Sequence, residues 1–251
     1  MKVSNTTSPG GDAQFHYQQR HDRKSSHHQI ASLILRRPRG PILDVGAAQG
    51  ILGRLLHEKI PTVSTDLALD AVEPDEFWSR EATPFYRCVF NASVEDAALP
   101  SGEYRTVVCA DVLEHVVEPI RVLQLLRRAA TPDARFIISL PNVAHLAIRL
   151  LLLSGQFPKM DKGILDRTHL HFYTQKTAQE MLESAGLHVE RILPTVVPLE
   201  IWFPDGDSRR ARRPLYSILK QSQYSALHLA PRLFAYQWIF VARPDGHPPG
   251  P

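Results

Sequence analysis

Cysteine is nearly absent: the 251 residues hold two, Cys88 and Cys109. Two thiols cannot staple a small secreted scaffold or complete a four-cysteine zinc site. Both lie in apolar runs, where buried, reduced thiols are expected. Long hydrophobic runs are missing too. The most apolar stretch, Leu146–Leu153, carries Arg149 and falls far short of the ~20 residues that span a bilayer, so no membrane span is expected. Met1–Gly11 is polar and lacks the apolar core of a secretion signal. Cytoplasmic placement is therefore expected, and the sequons at Asn5 and Asn91 read as chance matches. Neither sign of charge dominates: 29 Lys and Arg oppose 26 Asp and Glu, for a net +3. That balance carries no footprint of a nucleic-acid binder and leaves a small anionic partner open.

What is present is a globular pattern, with 43% hydrophobic residues in a length that suits one large domain. Short strand-like runs alternate with helical periods. Pro41–Val45 reads as a strand, Gln49–Glu58 as a helix, Thr62–Thr65 as a second strand ending at Asp66, and Phe85–Phe90 and Thr106–Ala110 as the next two. Pro119 opens a helix that Thr131-Pro132-Asp133 stops, and Arg135–Leu140 is a fifth strand. A later helix has Thr174 or Thr177 as its cap, with Thr177 and Glu180 matching a capping box, and ends at Gly186. Leu187–Leu193 and Tyr236–Ala242 are the last strand candidates. Such alternation implies an α/β fold, a mostly parallel sheet covered on both faces, with ligands beyond the carboxyl ends of its strands.

The residues at those ends carry the chemistry. In Leu43-Asp44-Val45-Gly46-Ala47-Ala48-Gln49-Gly50 a strand feeds a glycine turn and a helix, so backbone can approach a ligand and present helix N-terminal amides. Asp66, ending the next strand, can accept bonds from vicinal ribose hydroxyls, each contributing about 1.5–3 kcal/mol. The dinucleotide fingerprint fails on spacing, since Ala48 and Ile51 stand where its second and third glycines would fall. The pair reads as a nucleoside site.

Together with Ala110-Asp111-Val112-Leu113-Glu114-His115, Ser139-Leu140-Pro141-Asn142, Gly163–Leu170 and Tyr236–Ala242, this segment resembles the class I S-adenosylmethionine-dependent methyltransferases. Within them it is similar to the bacterial small-molecule and cell-surface-glycan subgroup. The resemblance covers residues ~40–193 and ~231–243. It implies a Rossmann-like three-layer sandwich whose seven-stranded sheet has an antiparallel last strand. It implies S-adenosylmethionine as cofactor, with Asp44, Gly46, Ala47 and Gly50 along the methionine and ribose portion. Asp66 and Leu67 would then lie at the ribose hydroxyls, Ser93 and Val94 at the adenine, and Asp111 and Val112 at the methionine end. Ser93 stands where the family usually has Asp.

The implied reaction is methyl transfer to a small-molecule or sugar acceptor, at a hydroxyl, by in-line displacement. A cofactor-binding scaffold or sensor, or an N- or C-methyltransferase on a natural-product-like or RNA acceptor, are the alternatives. A hydroxyl needs a base, and histidine suits neutral pH. His169, with Asp166 as orienting carboxylate, leads; His145 and Asn142 follow. Asp166, His169 and His171 have a spacing that suits divalent ions, yet the resembling subgroup generally needs no metal, and none is expected. His27 and His28 read as a solvated helix face, while Tyr17, Arg20 and Arg23 could fold over the cofactor carboxylate. The expected organisation is a tail and lid helix over residues 1–39, a methyltransferase domain over 40–243, and a disordered tail over 244–251. A cap insertion at 194–235 carries Trp202, Phe203 and Arg209-Arg210-Ala211-Arg212-Arg213, a basic run for an anionic acceptor or a solvated surface helix.

Overall fold

A computed structural model describes residues 25–59, 67–197 and 213–246. The elements in chain order are α1 (Ser26–Arg36), β1 (Ile42–Val45), α2 (Ile51–Lys59), β2 (Leu69–Val72), α3 (Glu76–Ala82), β3 (Cys88–Phe90), β4 (Tyr104–Ala110), α4 (Pro119–Ala129), β5 (Ala130–Pro141), α5 (Leu146–Leu153), α6 (Gln175–Ser184), β6 (Leu187–Pro194), α7 (Arg213–Leu229), α8 (Pro231–Phe234) and β7 (Gln237–Pro244). The strands form one seven-stranded sheet in the order β3-β2-β1-β4-β5-β7-β6. Pairing is parallel from β3 through β5, and β7 runs antiparallel to both β5 and β6. The Rossmann-like sandwich that the resemblance implies is this sheet.

Alternation along the strands fills two layers. Leu43, Val107, Cys109, Phe136, Ile138 and Phe240 face α4 and α6, where Val122, Leu123, Leu126 and Leu182 are fully buried. Ile42, Leu69, Val108, Ile137 and Ile239 face α1 and α2, with Ile30, Ile34, Leu52, Leu55 and Leu56. Burial of both faces follows from the parallel crossovers and accounts for the unbroken apolar strands in the sequence. Among the described residues, no helix is long and apolar enough to cross a membrane.

Several boundaries differ from those the sequence predicts. Thr62–Thr65 lies outside the described residues, and the strand paired with β1 is Leu69–Val72. The third strand is confined to Cys88–Phe90, because Thr83–Phe85 forms a 3-10 turn. Helix α4 ends at Ala129, and Thr131-Pro132-Asp133, the expected stop, lies inside β5. The capping box sits one turn earlier than Thr177 and Glu180: the Thr174 hydroxyl accepts from Thr177 N, and Thr177 Oγ1 accepts from Thr174 N. Helix α1 is built into the core, with Ile30, Ala31 and Ile34 fully buried, rather than covering the molecule as a lid. His27 and His28 are half-buried on it, not solvated. Cys88 is exposed, in contrast to the buried thiol expected, while Cys109 is buried. At the other end β7 continues to Pro244, and Asp245 N donates to Gly186 O.

Candidate active site

The chain leaves β1 through a left-handed turn, with φ of +67° at Gly46, +47° at Ala48 and +74° at Gly50. A Cβ on Gly46 would stand 2.6 Å from Val112 Cγ2, so only glycine lets this backbone lie against the loop after β4. Gly46 N and Ala47 N donate to Val72 O, Gly50 N to Ala47 O, and Ala48 N to Glu73 Oε2 at 2.8 Å. Four amides that the sequence reading offers to a ligand are thus spent on protein acceptors and withheld from a phosphate.

The acid at the carboxyl end of the second strand is Glu73. Asp66 lies outside the described residues. Leu67 precedes β2, beside Gly40 at the opposite edge of the sheet, and so cannot reach a ligand at the carboxyl end. Glu73 is buried, accepting from Ala48 N on one oxygen and from Asp75 N at 3.0 Å on the other. Each oxygen retains a lone pair for a further donor, as a ribose diol requires. Burial raises the pKa of this carboxyl.

Asp44 turns inward. Its Oδ2 accepts from Tyr86 Oη at 2.6 Å, and Tyr86 Oη in turn accepts from Gly53 N at 3.1 Å. This chain ties β1 to α2 beneath the turn, and burial pushes the Asp44 pKa up to about 7. Ser93 Oγ donates to Asp96 Oδ2 at 2.8 Å, and Val94 is buried in the core layer facing α4. Asp111 holds φ +59° without being glycine, and its two oxygens accept from Ser139 Oγ and Gln237 Nε2, each at 2.7 Å. A left-handed non-glycine residue clamped from two other strands is a common feature of functional sites.

The predicted acceptor-side residues divide. Asn142 is fully buried, with Nδ2 donating to Ala235 O at 2.8 Å and Oδ1 accepting from Ala144 N at 3.1 Å. These two bonds staple β5 to the approach of β7. His145 caps α5, its Nδ1 accepting from Ala147 N, and burial lowers its pKa. Asp166 does not orient His169. Its Oδ1 accepts from Thr168 N and Thr168 Oγ1, whereas His169 Nδ1 bonds Ile164 O at 3.1 Å. His171 Nε2 bonds Val117 O at 3.3 Å, so Asp166, His169 and His171 have separate partners.

What the fold does bring together is Glu114, His115 and His169. The two imidazoles meet edge to face with centroids 4.7 Å apart. Glu114 O accepts from Leu170 N at 2.8 Å and His171 N at 3.2 Å, tying the 163–173 loop to the turn after β4. The Glu114 side chain is buried, and its pKa is driven well up by burial and then by Asp111. His169 is held below the usual histidine range by burial and then by His115. Phe172 stacks edge-on to His169 and Phe157, and Phe157, Met160, Leu170 and Phe172 are exposed around it. Sequence reading missed Glu73, Tyr86, Ser139 and Gln237. A polar residue at the head of the apolar run Gln237–Ala242 is the one signal available for the last.

This sheet order, with a glycine turn after the first strand and an acid after the second, is that of the class I methyltransferase fold. The chain belongs to the methyltransferase domain family, whose model matches residues 15–192. It is 26% identical over 151 residues to the ubiquinone biosynthesis O-methyltransferase of Aeromonas salmonicida (strain A449), spanning 59% of this chain and 63% of that protein. With the protein of the same name from Paracidovorax citrulli (strain AAC00-1) it shares 34% over 121 residues, 46% of this chain and 50% of that one. The chain spans from about half to less than two thirds of the length of these curated relatives. Among solved structures, magnesium protoporphyrin IX methyltransferase from Synechocystis PCC 6803 with bound SAH superposes with a TM-score of 0.57 at 17% identity, covering 94% of this chain and 90% of that one. A SAM-dependent methyltransferase from Archaeoglobus fulgidus gives 0.55 at 14% identity, with 86% and 94% covered.

Proposed function

We propose that the protein transfers the S-adenosylmethionine methyl group to a hydroxyl of a small-molecule acceptor with an apolar ring or chain. Glu73 takes the ribose hydroxyls, a role the sequence reading gave to Asp66, and Asp111 faces the methionine end. The sulfonium already makes the methyl carbon electrophilic, so positioning supplies most of the rate gain, with attack distances near ~3–3.5 Å. The observation that carries the acceptor side is the Glu114, His115 and His169 cluster, rimmed by exposed Phe157, Leu170 and Phe172. The apolar rim suits an aromatic or lipid-like body better than a bare sugar. Its lowered pKa leaves His169 neutral at pH 7, with an electron pair available at the hydroxyl. The name O-methyltransferase on the curated relatives supports oxygen as the methylated atom.

The test is incubation of the protein with isotope-labelled S-adenosylmethionine and a panel of catechols, phenols and sugar alcohols, read by mass spectrometry. A labelled methyl ether that appears in wild type and falls at least about tenfold in His169→Ala supports the reading. Label on nitrogen or carbon, or ether formation indifferent to that substitution, contradicts it.

A further inference from the structure

We propose that Glu114, His115 and His169 form a site for one divalent transition cation of the zinc, manganese or cobalt type. One ligand atom from each residue lies within 4.8 Å of the others, a spread a single ion can bridge by drawing them inward. An independent observation points the same way. Glu114 is 1% exposed, and neither carboxyl oxygen meets a donor from another described residue. An ionised carboxylate buried with no donor from another residue is an unfavourable arrangement that a bound cation relieves. The imidazoles are prepared as ligands. His169 Nδ1 bonds Ile164 O at 3.1 Å, and His115 Nδ1 lies 3.3 Å from Thr168 O and 3.2 Å from Thr168 Oγ1. With Nδ1–H donated to a carbonyl, each ring keeps the lone pair of Nε2 for a metal.

The donor set selects the ion. One carboxylate and two imidazoles suit zinc or another first-row cation with open positions, whereas magnesium and calcium favour oxygen ligands. His115 is exposed, so the remaining positions are reachable from solvent. Resting on the hydroxyl-methylation reading, we assign the cation the activation of the acceptor. It lowers the hydroxyl pKa so that the proton leaves to solvent, and the His169 electron pair is then spent on the metal. The oxygen–carbon bond forms as the sulfur–carbon bond breaks, releasing S-adenosylhomocysteine.

The experiment uses tag-free, full-length protein stripped with chelator, then titrated with cobalt(II) by visible absorption and with zinc by calorimetry, magnesium serving as competitor. The expected result is one equivalent bound, unaffected by magnesium, with affinity lowered at least about a hundredfold in Glu114→Gln and His169→Gln. Absence of stoichiometric binding overturns the site, as does undiminished binding in variants that melt like wild type. Should a variant fail to fold, His115→Asn at an exposed position decides: weakened binding supports the site and unchanged binding removes it. S-adenosylhomocysteine calorimetry on the same stripped protein separates the two readings. Nucleoside binding without cation binding defeats only the metal site, and cation binding without nucleoside binding defeats only the methyltransferase reading.

Discussion

Three carboxyls at the carboxyl edge of the sheet, Asp44, Glu73 and Glu114, are held above the ordinary carboxylate range, with burial the largest cause in each. The unfolded chain releases the Asp44 proton at an ordinary 3.8 and the folded chain at about 7. The stability contributed by the protonated folded form is therefore full below the lower value and lost as pH rises through the higher one. Ligand-free protein should accordingly unfold at lower urea at about pH 8 than at about pH 5, and Asp44→Asn should flatten that slope. Equal slopes in variant and wild type would remove Asp44 from the account. Of this edge, the glycine turn, Asp44 and Asp111 were legible because they flank apolar strands. Glu73 was not, since its strand went unrecognised, and Glu114 took its meaning only when the 163–173 loop closed against it.

Among the elements, β2 shows how a buried acid hides a strand. The β-branched run Thr62–Thr65 outcompetes Leu69-Asp70-Ala71-Val72 on pattern, because Asp70 reads as a polar interruption. In the fold Asp70 is buried yet satisfied, accepting from Arg87 Nε at 2.9 Å and Tyr104 Oη at 3.1 Å. Both partners are far away in sequence, so nothing local announces that the charge can be buried. Arg87→Met leaves that carboxylate with Tyr104 alone, and equilibrium unfolding should show a loss of about 2 kcal/mol, discounted because Arg87 is half exposed. A change under about 0.5 kcal/mol would mean the strand tolerates its acid without the ion pair. Asn142 gives the converse lesson. A polar residue after β5 matches a catalytic pattern, and in the fold its amide also holds Ala235 and Ala144, contacts that nothing local announces.

For the molecule as a whole, strand–helix alternation was enough to read the parallel sheet, because two-sided burial writes apolar runs into every central strand. The role of α1 needed tertiary contacts: its apolar spacing is equally suited to a cover or to a core layer. With Ile34 fully buried beside α2, Ile34→Ala should lower the unfolding free energy by about 2–4 kcal/mol, whereas a helix that merely covers the site would change it little. The segment with Trp202, Phe203 and Arg209-Arg210-Ala211-Arg212 lies outside the described residues, and an anionic acceptor rests on that segment. The central claim is that the carboxyl edge holds a sulfonium nucleoside by its ribose at Glu73. Calorimetry with S-adenosylhomocysteine tests it most directly, comparing wild type with Glu73→Gln. One site in wild type, weakened roughly tenfold to a hundredfold in the variant, is the predicted result. No heat at millimolar nucleoside, or equal affinity in the two proteins, would contradict it.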